Sequence, residues 1–200
     1  GSDALSALEY FMDLYNDEVA AVPARLDSTW NGEAFGRGRA AMTIEGNWLV
    51  GYLANRFPSL NYGIIELPSG PVGRGTTAYL TCWVVSADAA NPDAALSLAA
   101  FLTAPEQTLA WADASGNLPP ALDQATAWVA NHPDYAVFVT SLAYATPWTG
   151  RADLVDLAET VNLAMRMWYE DNLTTPELVG ILATMSQNPP LPTPTATPSD

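Results

Sequence analysis

The segment that most constrains the fold is GRAAMTIEGNW at residues 38–48, a short apolar, strand-like run that stops at a glycine and ends on Trp48. The residues that follow it, LVGYLANRF, have the pattern of a helix, so Trp48 lies where a strand gives way to a helix. Open α/β sheets bind their ligands at junctions of this kind, beyond the carboxyl ends of the strands. The segment therefore predicts an α/β fold with a ligand site near Trp48.

Helical and strand-like patterns alternate along the rest of the chain. An amphipathic first helix is predicted over 3–19, because its apolar residues recur at spacings of three and four: Leu5, Leu8, Phe11, Met12, Tyr15 and Val19. Strands are predicted at 40–44, 61–67 and 78–86, the last of them buried because it is rich in β-branched and aromatic residues. Further helices are predicted at 31–37, 48–57, 92–102, 105–116, 152–171 and 174–186. Two more are expected around residues 132–133, one before and one after this pair. The stripe of the long helix consists of Leu154, Leu157, Val161, Met165 and Trp168.

Capping residues indicate where several of these helices begin and end. We expect Asn47 to cap the helix that starts at Trp48, and Asn91, followed by a proline and an acid, to cap the next one. Thr103 with Glu106 has the spacing of a capping box, and so has the segment TTPE at 174–177. Gly116 is expected to end the helix before it.

Charge and cysteine content exclude several classes of function. The chain carries 7 basic and 22 acidic residues, a formal net charge of −15, and all of its basic residues are arginines. A nucleic-acid partner is not expected, because phosphate neutralisation needs a clustered positive face. Cys82 is the single cysteine, so no internal disulfide and no thiolate metal cluster can form; we interpret it as a small buried hydrophobe. The sequence contains no GxSxG, HExxH, P-loop or GxGxxG motif, and no cofactor or metal is expected.

Both ends of the chain have a distinct composition. After Asn188 the sequence continues as PPLPTPTATPSD, a Pro/Thr-rich tract, and an extended linker or tail is expected at 188–200. The initial Gly-Ser is interpreted as a cloning remnant, and a signal peptide, if the natural protein has one, would lie upstream. No stretch approaches the roughly 20 apolar residues of a membrane-spanning helix.

Three segments taken in order resemble the C-terminal half of the bacterial extracellular solute-binding proteins of family 1, the maltose- and oligosaccharide-binding type that serves ABC importers. The segments are GEAFGRGRAAMTIEGNW, NYGIIELPSGP and SADAANPDAALSLAAFLTAPEQTLAWADASGNLPPAL, and the resemblance extends to about Gln187. It implies a periplasmic-binding-protein-like α/β fold of type II, in which two lobes close on a ligand across a hinge. The family is considerably longer, so the chain is interpreted as a fragment.

The resemblance also implies how the fragment is organised and where it works. Residues 3–77 correspond to an α/β part of the C-terminal lobe, 78–116 to an excursion into the N-terminal lobe, and 117–187 to a helical part of the C-terminal lobe. The expected partners are a carbohydrate or other small solute and the membrane permease of an ABC importer. The expected location is extracellular or periplasmic, with the natural protein anchored to the membrane as a lipoprotein.

Trp48 is the first candidate for ligand contact, because an aromatic face packs against the C–H face of a sugar ring. In the family the Trp of this motif lines the sugar cleft; filling of the core is the alternative role. Resemblance to cleft-lining positions adds further ligand-binding candidates: Glu45, Asn47, Tyr79, Thr81, Asn117, Trp148 and Arg151. Tyr79 could equally be a plain strand residue and Arg151 a surface charge, whereas for Asn117 a structural role in the GNLP turn is favoured over ligand contact.

Three functions are compatible with the sequence. The leading hypothesis is a carbohydrate-binding receptor without chemistry of its own; the others are a glycan-processing enzyme that uses Glu45 and Glu66, and a ligand-sensing ectodomain tethered through the tail. The single histidine, His132, is interpreted as a surface residue, and Arg74 and Arg151 leave an amino-acid ligand open. A fragment of this kind is expected to bind sugars weakly and to self-associate through exposed cleft and hinge surfaces.

Overall fold

The computed structural model describes residues 2–147, 155–170 and 172–187. The chain divides into two compact units: a terminal unit of residues 1–26 and 149–200, and a central unit of residues 27–148. Nine helices span the described residues: α1 (Ser2–Asn16), α2 (Asn31–Gly36), α3 (Trp48–Arg56), α4 (Pro92–Leu102), α5 (Pro105–Ser115), α6 (Leu122–Trp128), α7 (Ala136–Ser141), α8 (Val155–Tyr169) and α9 (Thr175–Gln187). Every predicted helix therefore has a counterpart, although α1 ends three residues before Val19, which is 74% exposed.

The core of the terminal unit is built by α1, α8 and α9. Its buried residues are Met12, Ala164, Trp168 and Leu178. The Tyr15 and Trp168 rings meet in a T-shaped contact at a centroid distance of 5.8 Å, and the Trp168 indole N–H donates to Thr175 Oγ1 at 3.1 Å. The apolar stripes predicted for the first and the long helix thus supply this core, since Met12 and Trp168 belong to them.

The core of the central unit forms where α5 and α6 meet the turn at Pro133–Tyr135. Ala112, Trp128 and Tyr135 are buried there, and Val50 of α3 and Leu118 pack against them. The Trp128 indole N–H donates to Asp113 Oδ1 at 2.7 Å. Helix α3, which begins at Trp48, packs against one side of this core through Val50.

His132 is not the plain surface residue that the sequence suggested. Its ring stacks on Trp128 at a centroid distance of 3.7 Å and an interplanar angle of 14°. Its Nδ1 lies 3.0 Å from the carbonyl oxygen of Trp128, so Nδ1 carries the hydrogen of this contact. Helix α6 ends at Trp128, and His132 lies four residues further on, directly before the turn at Pro133–Tyr135, with its side chain 36% exposed.

The β structure differs most from expectation. Among the described residues the strands are β1 (Thr76–Ala78) and β2 (Ala145–Pro147), which pair in parallel with Thr76 opposite Ala145. The predicted strands at 40–44 and 61–67 form no ladder, and of the run at 78–86 only its first residue belongs to a strand. A β-prone composition becomes a strand only when a neighbour supplies the hydrogen-bond ladder, and within the described residues these runs lack one.

Burial in the 78–86 run was also predicted wrongly. Leu80, Trp83 and Val84 are 73%, 65% and 87% exposed. Cys82 is exposed as well, contrary to its interpretation as a small buried hydrophobe. The run has no second layer against which to bury either of its faces in this part of the chain.

Three of the predicted helix ends are confirmed, and two predicted N-caps are wrong: Thr103, described here, and Asn47, described with the candidate site. The Asn91 side chain accepts from the Ala94 N–H at 3.1 Å, Gly116 ends α5 in the left-handed conformation, and the Glu177 carboxylate accepts from the Thr174 N–H at 2.8 Å. Thr103, by contrast, ends α4: its hydroxyl donates back to the Ala99 carbonyl at 2.8 Å, and Ala104 precedes α5. The hydroxyl of a threonine between two helices can bond either to a carbonyl of the preceding helix or to an N–H of the following one. Here it bonds to the carbonyl of the preceding helix.

Leu53 tests the core of the central unit. It is 1% exposed, so Leu53→Ala leaves a cavity and should lower the free energy of unfolding by about 2–5 kcal/mol. Urea unfolding followed by tryptophan fluorescence measures this. The matched variant Leu80→Ala, at a residue that is 73% exposed, should change the stability by less than about 0.5 kcal/mol. Equal losses for the two variants would contradict the assigned core.

The hydrogen bonds of Glu33 make part of the folding stability depend on pH in the acidic range. The N–H and the hydroxyl of Thr29 both donate to its carboxylate at 2.7 Å, and these bonds, the backbone one first, lower the pKa of Glu33 below its ordinary value of 4.5. Because the folded pKa is the lower one, the contribution is present above pH 4.5 and is lost as the pH falls through the folded pKa. Glu33→Gln and Thr29→Ala should therefore both flatten the fall in thermal midpoint below pH 4.5, measured by circular dichroism. Unchanged acid slopes in both would be inconsistent with this bond.

Candidate functional site

Five residues that the sequence singled out for ligand binding come together in the central unit. We call them the Trp48 site: Glu45, Asn47, Trp48, Tyr79 and Asn117. They come from three stretches of chain that are far apart in sequence. Hydrogen bonds and one ring contact link them, as described below.

Trp48 begins α3 and keeps its ring partly in solvent. Its indole N–H donates to Glu45 Oε2 at 2.8 Å, while 39% of the residue is exposed. One part of the ring lies against Gly46: a Cβ on that glycine would come within 2.2–2.5 Å of the ring carbons. Gly46 thus lets the ring fold over its own backbone, and Glu45 fixes the direction of the indole edge.

Tyr79 extends the aromatic surface beyond Trp48. Its ring meets the Trp48 ring edge to face, with a centroid distance of 5.7 Å and an interplanar angle of 78°. Tyr79 is 59% exposed and follows β1, which ends at Ala78. Aromatic pairs prefer this T-shaped arrangement over a parallel sandwich, so the two rings form a corner rather than a flat shelf.

Asn47 does not cap α3 as predicted. Its backbone is already helical, with φ −60° and ψ −21°, and its side chain makes no capping bond. The amide instead donates to Asn117 Oδ1 at 3.3 Å, across 70 residues of sequence. A cap needs an extended backbone, and once Asn47 takes the helical conformation its side chain is available for this tertiary contact.

Asn117 is oriented by the end of α5. Both its backbone N–H and its side-chain amide lie 3.2 Å from Ser115 Oγ. Its side chain is therefore held from one side by Ser115 and from the other by Asn47. Ser115 is a member of this network that sequence reasoning missed, and its place directly before the glycine that ends α5 is the local signal for it.

The other predicted residues stand apart from this group. Thr81 is exposed in the irregular run after β1, and no bond ties it to Trp48. Trp148 and Arg151 lie outside the described residues. Ligand contact by any of the eight candidates stays a prediction.

The two carboxylates considered for glycan hydrolysis both have other partners. Glu45 accepts from the Trp48 indole. Glu66 pairs with Arg74 and accepts from the Tyr144 hydroxyl at 2.8 Å. Glu45 therefore positions the Trp48 ring, and Glu66 connects its own loop to the turn before β2 through Tyr144. The charge of Arg74 is paired with that of Glu66.

Metal and membrane features can be stated for the described part of the chain. No group of three or more His, Cys, Asp or Glu residues is placed there to hold a metal ion, and none of its helices combines the length and apolarity of a bilayer span. A cavity of about 480 Å³ between α5 and α6 is lined by Asp113, Trp128 and His132, among others, and does not include Trp48. The Trp48 site is an open, aromatic and hydrogen-bonding surface, because both of its rings are exposed and its polar side chains bond beside them.

Comparison with known proteins adds two findings. The family described as bacterial extracellular solute-binding protein matches residues 1–137. An uncharacterised ABC transporter extracellular-binding protein from Pyrococcus horikoshii is 32% identical over 124 residues, which is 58% of this chain. The match spans 26% of that relative's length. The matched family region contains the five residues of the Trp48 site.

Gly46 gives a test of how the Trp48 ring is held. Gly46→Ala places a methyl group where the ring now lies, so the ring should swing away and lose its bond to Glu45. The indole N–H resonance of Trp48 should move towards that of an exposed indole, and its fluorescence quenching by acrylamide should rise. Gly63→Ala is the matched control, because nothing lies within 4 Å of a Cβ there. An unmoved Trp48 resonance in a folded Gly46→Ala protein would contradict the geometry.

Proposed function

Because the chain belongs to the bacterial extracellular solute-binding proteins, we propose that it is part of the receptor that captures a solute for an ABC importer. The relative from Pyrococcus horikoshii, named as an extracellular-binding protein of an ABC transporter, supports this role. The partners are then a small solute and the membrane permease. The place of action is outside the cytoplasmic membrane, with the natural protein anchored there.

The solute that fits the Trp48 site best is a carbohydrate. A sugar ring offers an apolar C–H face together with a rim of hydroxyl groups, and it is recognised by aromatic faces combined with hydrogen-bonding side chains. The Trp48–Tyr79 corner supplies the aromatic faces, and Glu45, Asn47 and Asn117 supply acceptors and donors beside them. The observation that carries the proposal is the partial exposure of Trp48, at 39%, among these polar groups.

An amino-acid solute fits less well. Its carboxylate calls for a committed cation, and Arg74 is paired with Glu66 while its guanidinium lies 5.8 Å from the centre of the Tyr144 ring. A hydrolytic role fits less well too, since Glu45 holds the indole of Trp48 and the family is one of binding proteins. The receptor works by binding and release.

The fold proposed for this receptor is of the type II, two-lobed kind, in which this chain forms most of the C-terminal lobe and residues 78–116 cross to the other lobe. The exposed apolar residues of that stretch, such as Trp83 at 65% and Phe101 at 56%, support a surface that is covered in the longer protein. On its own the chain offers one wall of a cleft. It therefore binds sugars weakly and tends to self-associate.

Calorimetric titration with maltotriose, cellobiose and leucine tests the proposed solute class, on this chain and on the longer natural protein. We expect binding of at least one sugar, tighter in the longer protein, and no binding of leucine. Trp48→Ala should weaken sugar binding tenfold or more, because it removes the stacking face. Trp111→Ala, at a residue that is 69% exposed on α5, is the matched control and should leave the affinity unchanged. Equal losses in both variants, or binding of leucine alone, would contradict the proposal.

A further inference from the structure

Helix α3 and the end of α5 touch through their backbones. A Cβ on Gly51 of α3 would lie 2.7 Å from the Ser115 carbonyl oxygen and 3.3 Å from Gly116 Cα. A Cβ on Gly116 would lie 2.8 Å from Gly51 Cα. These neighbours are backbone atoms, which cannot turn aside as the end of a flexible side chain can. The contact therefore requires a residue without a side chain at both positions.

Residues of the Trp48 site flank this contact on both segments, α3 and the end of α5. Trp48 starts α3 one turn before Gly51, with Asn47 directly before it, and Asn117 follows Gly116. The amides of Asn47 and Asn117 meet at 3.3 Å beside the contact. Since α3 is a rigid helix, the separation of the two backbones at Gly51 sets the separation of the two asparagines.

The α5 side of the contact is anchored in the core of the central unit. Gly116 has φ +68°, its N–H donates to the Ala112 carbonyl at 2.9 Å, and its carbonyl accepts from the Tyr135 hydroxyl at 2.9 Å. Tyr135 is 7% exposed, and burial first of all raises its pKa to about 12. The turn is thus a fixed base against which α3 lies.

We propose that Gly51 is a positioning residue of the solute site, which sets the place of Trp48 and Asn47 relative to Asn117 through its backbone contact with Gly116. Gly51 touches no solute itself. The inference rests on the proposed function for its effect on solute binding, while its effect on the geometry of the site stands independently. Sequence reasoning had no signal for it, because Gly51 lies inside an ordinary helical pattern.

The test compares three variants. Gly51→Ala puts a methyl group against the Ser115 carbonyl. Gly180→Ala replaces another helical glycine, in α9, where nothing lies within 4 Å of a Cβ. Asn55→Ala alters α3 one turn beyond Gly51, where the Asn55 amide donates to the Gly51 carbonyl at 2.9 Å, without adding bulk at the contact. Both alanine substitutions of helical glycines share the same local gain in helix propensity, so they differ in the contact alone.

The geometric readout is the nuclear magnetic resonance of the side-chain amides of Asn47 and Asn117 and of the Trp48 indole. Gly51→Ala should shift all three, whereas Gly180→Ala and Asn55→Ala should leave the Asn117 amide in place. A folded Gly51→Ala protein with an unchanged Asn117 amide would overturn the inference. Where Gly51→Ala does not fold, Tyr135→Phe releases the Gly116 carbonyl more gently, and an unmoved Asn47–Asn117 pair in that variant overturns it equally.

The functional readout is the affinity for maltotriose of the full natural protein. Gly51→Ala should weaken binding about tenfold, and Gly180→Ala should not. The losses from Gly51→Ala and Asn117→Ala should be less than additive, because both act on the same pair, whereas a general loss of stability would add to the loss from Asn117→Ala. If the unaltered protein does not bind maltotriose, maltotriose is not the solute, and the amide resonances then decide the inference.

Discussion

The central unit depends on places where a glycine lets another group approach the backbone. At Gly51 and Gly116 the backbones of α3 and of the end of α5 meet. A Cβ on either glycine would lie less than 3 Å from a backbone atom of the other segment. Elsewhere in the unit aromatic rings lie where a glycine Cβ would be: Trp30 on Gly32, Phe57 on Gly36 and Trp48 on Gly46. Among the described residues of this 122-residue unit, these close approaches add to the packing of the buried side chains, such as Leu53, Trp128 and Tyr135.

The helices could be read from the sequence because their signals are local. Apolar spacing located α1 and α8, and the Asn91 cap and the Gly116 stop located helix ends, since each acts within a turn of where it stands. The strands could not be read in the same way. A run such as 79–86 has the composition of a strand, but whether it pairs depends on a neighbour elsewhere in the polypeptide, and a hydrogen-bond ladder is not encoded in one segment.

The candidate site was partly predictable for the same reason. Trp48 follows from a local junction of patterns, and the family resemblance supplied Tyr79 and Asn117, whereas the bonds that unite them are tertiary. Asn47 illustrates the limit: the local rule assigns its side chain to the helix start, and the fold assigns it to Asn117. The family match over residues 1–137 confirms the resemblance to bacterial extracellular solute-binding proteins, and the match to the relative from Pyrococcus horikoshii spans 26% of that relative's length.

Three tryptophans show why Trp48 is the one to expect at a solute. Each donates its indole N–H to a side-chain oxygen: Trp128 to Asp113, Trp168 to Thr175 and Trp48 to Glu45. The hydrogen bond therefore does not distinguish them, but burial does, since Trp128 and Trp168 are 7% and 9% exposed and Trp48 is 39% exposed. A tryptophan that serves the core gains by burying its whole ring, up to about 150–250 Å². Trp48 buries less of its ring, although Glu45 and Gly46 hold the ring in one orientation. An oriented, partly exposed aromatic face is the arrangement expected where a ligand packs against the ring.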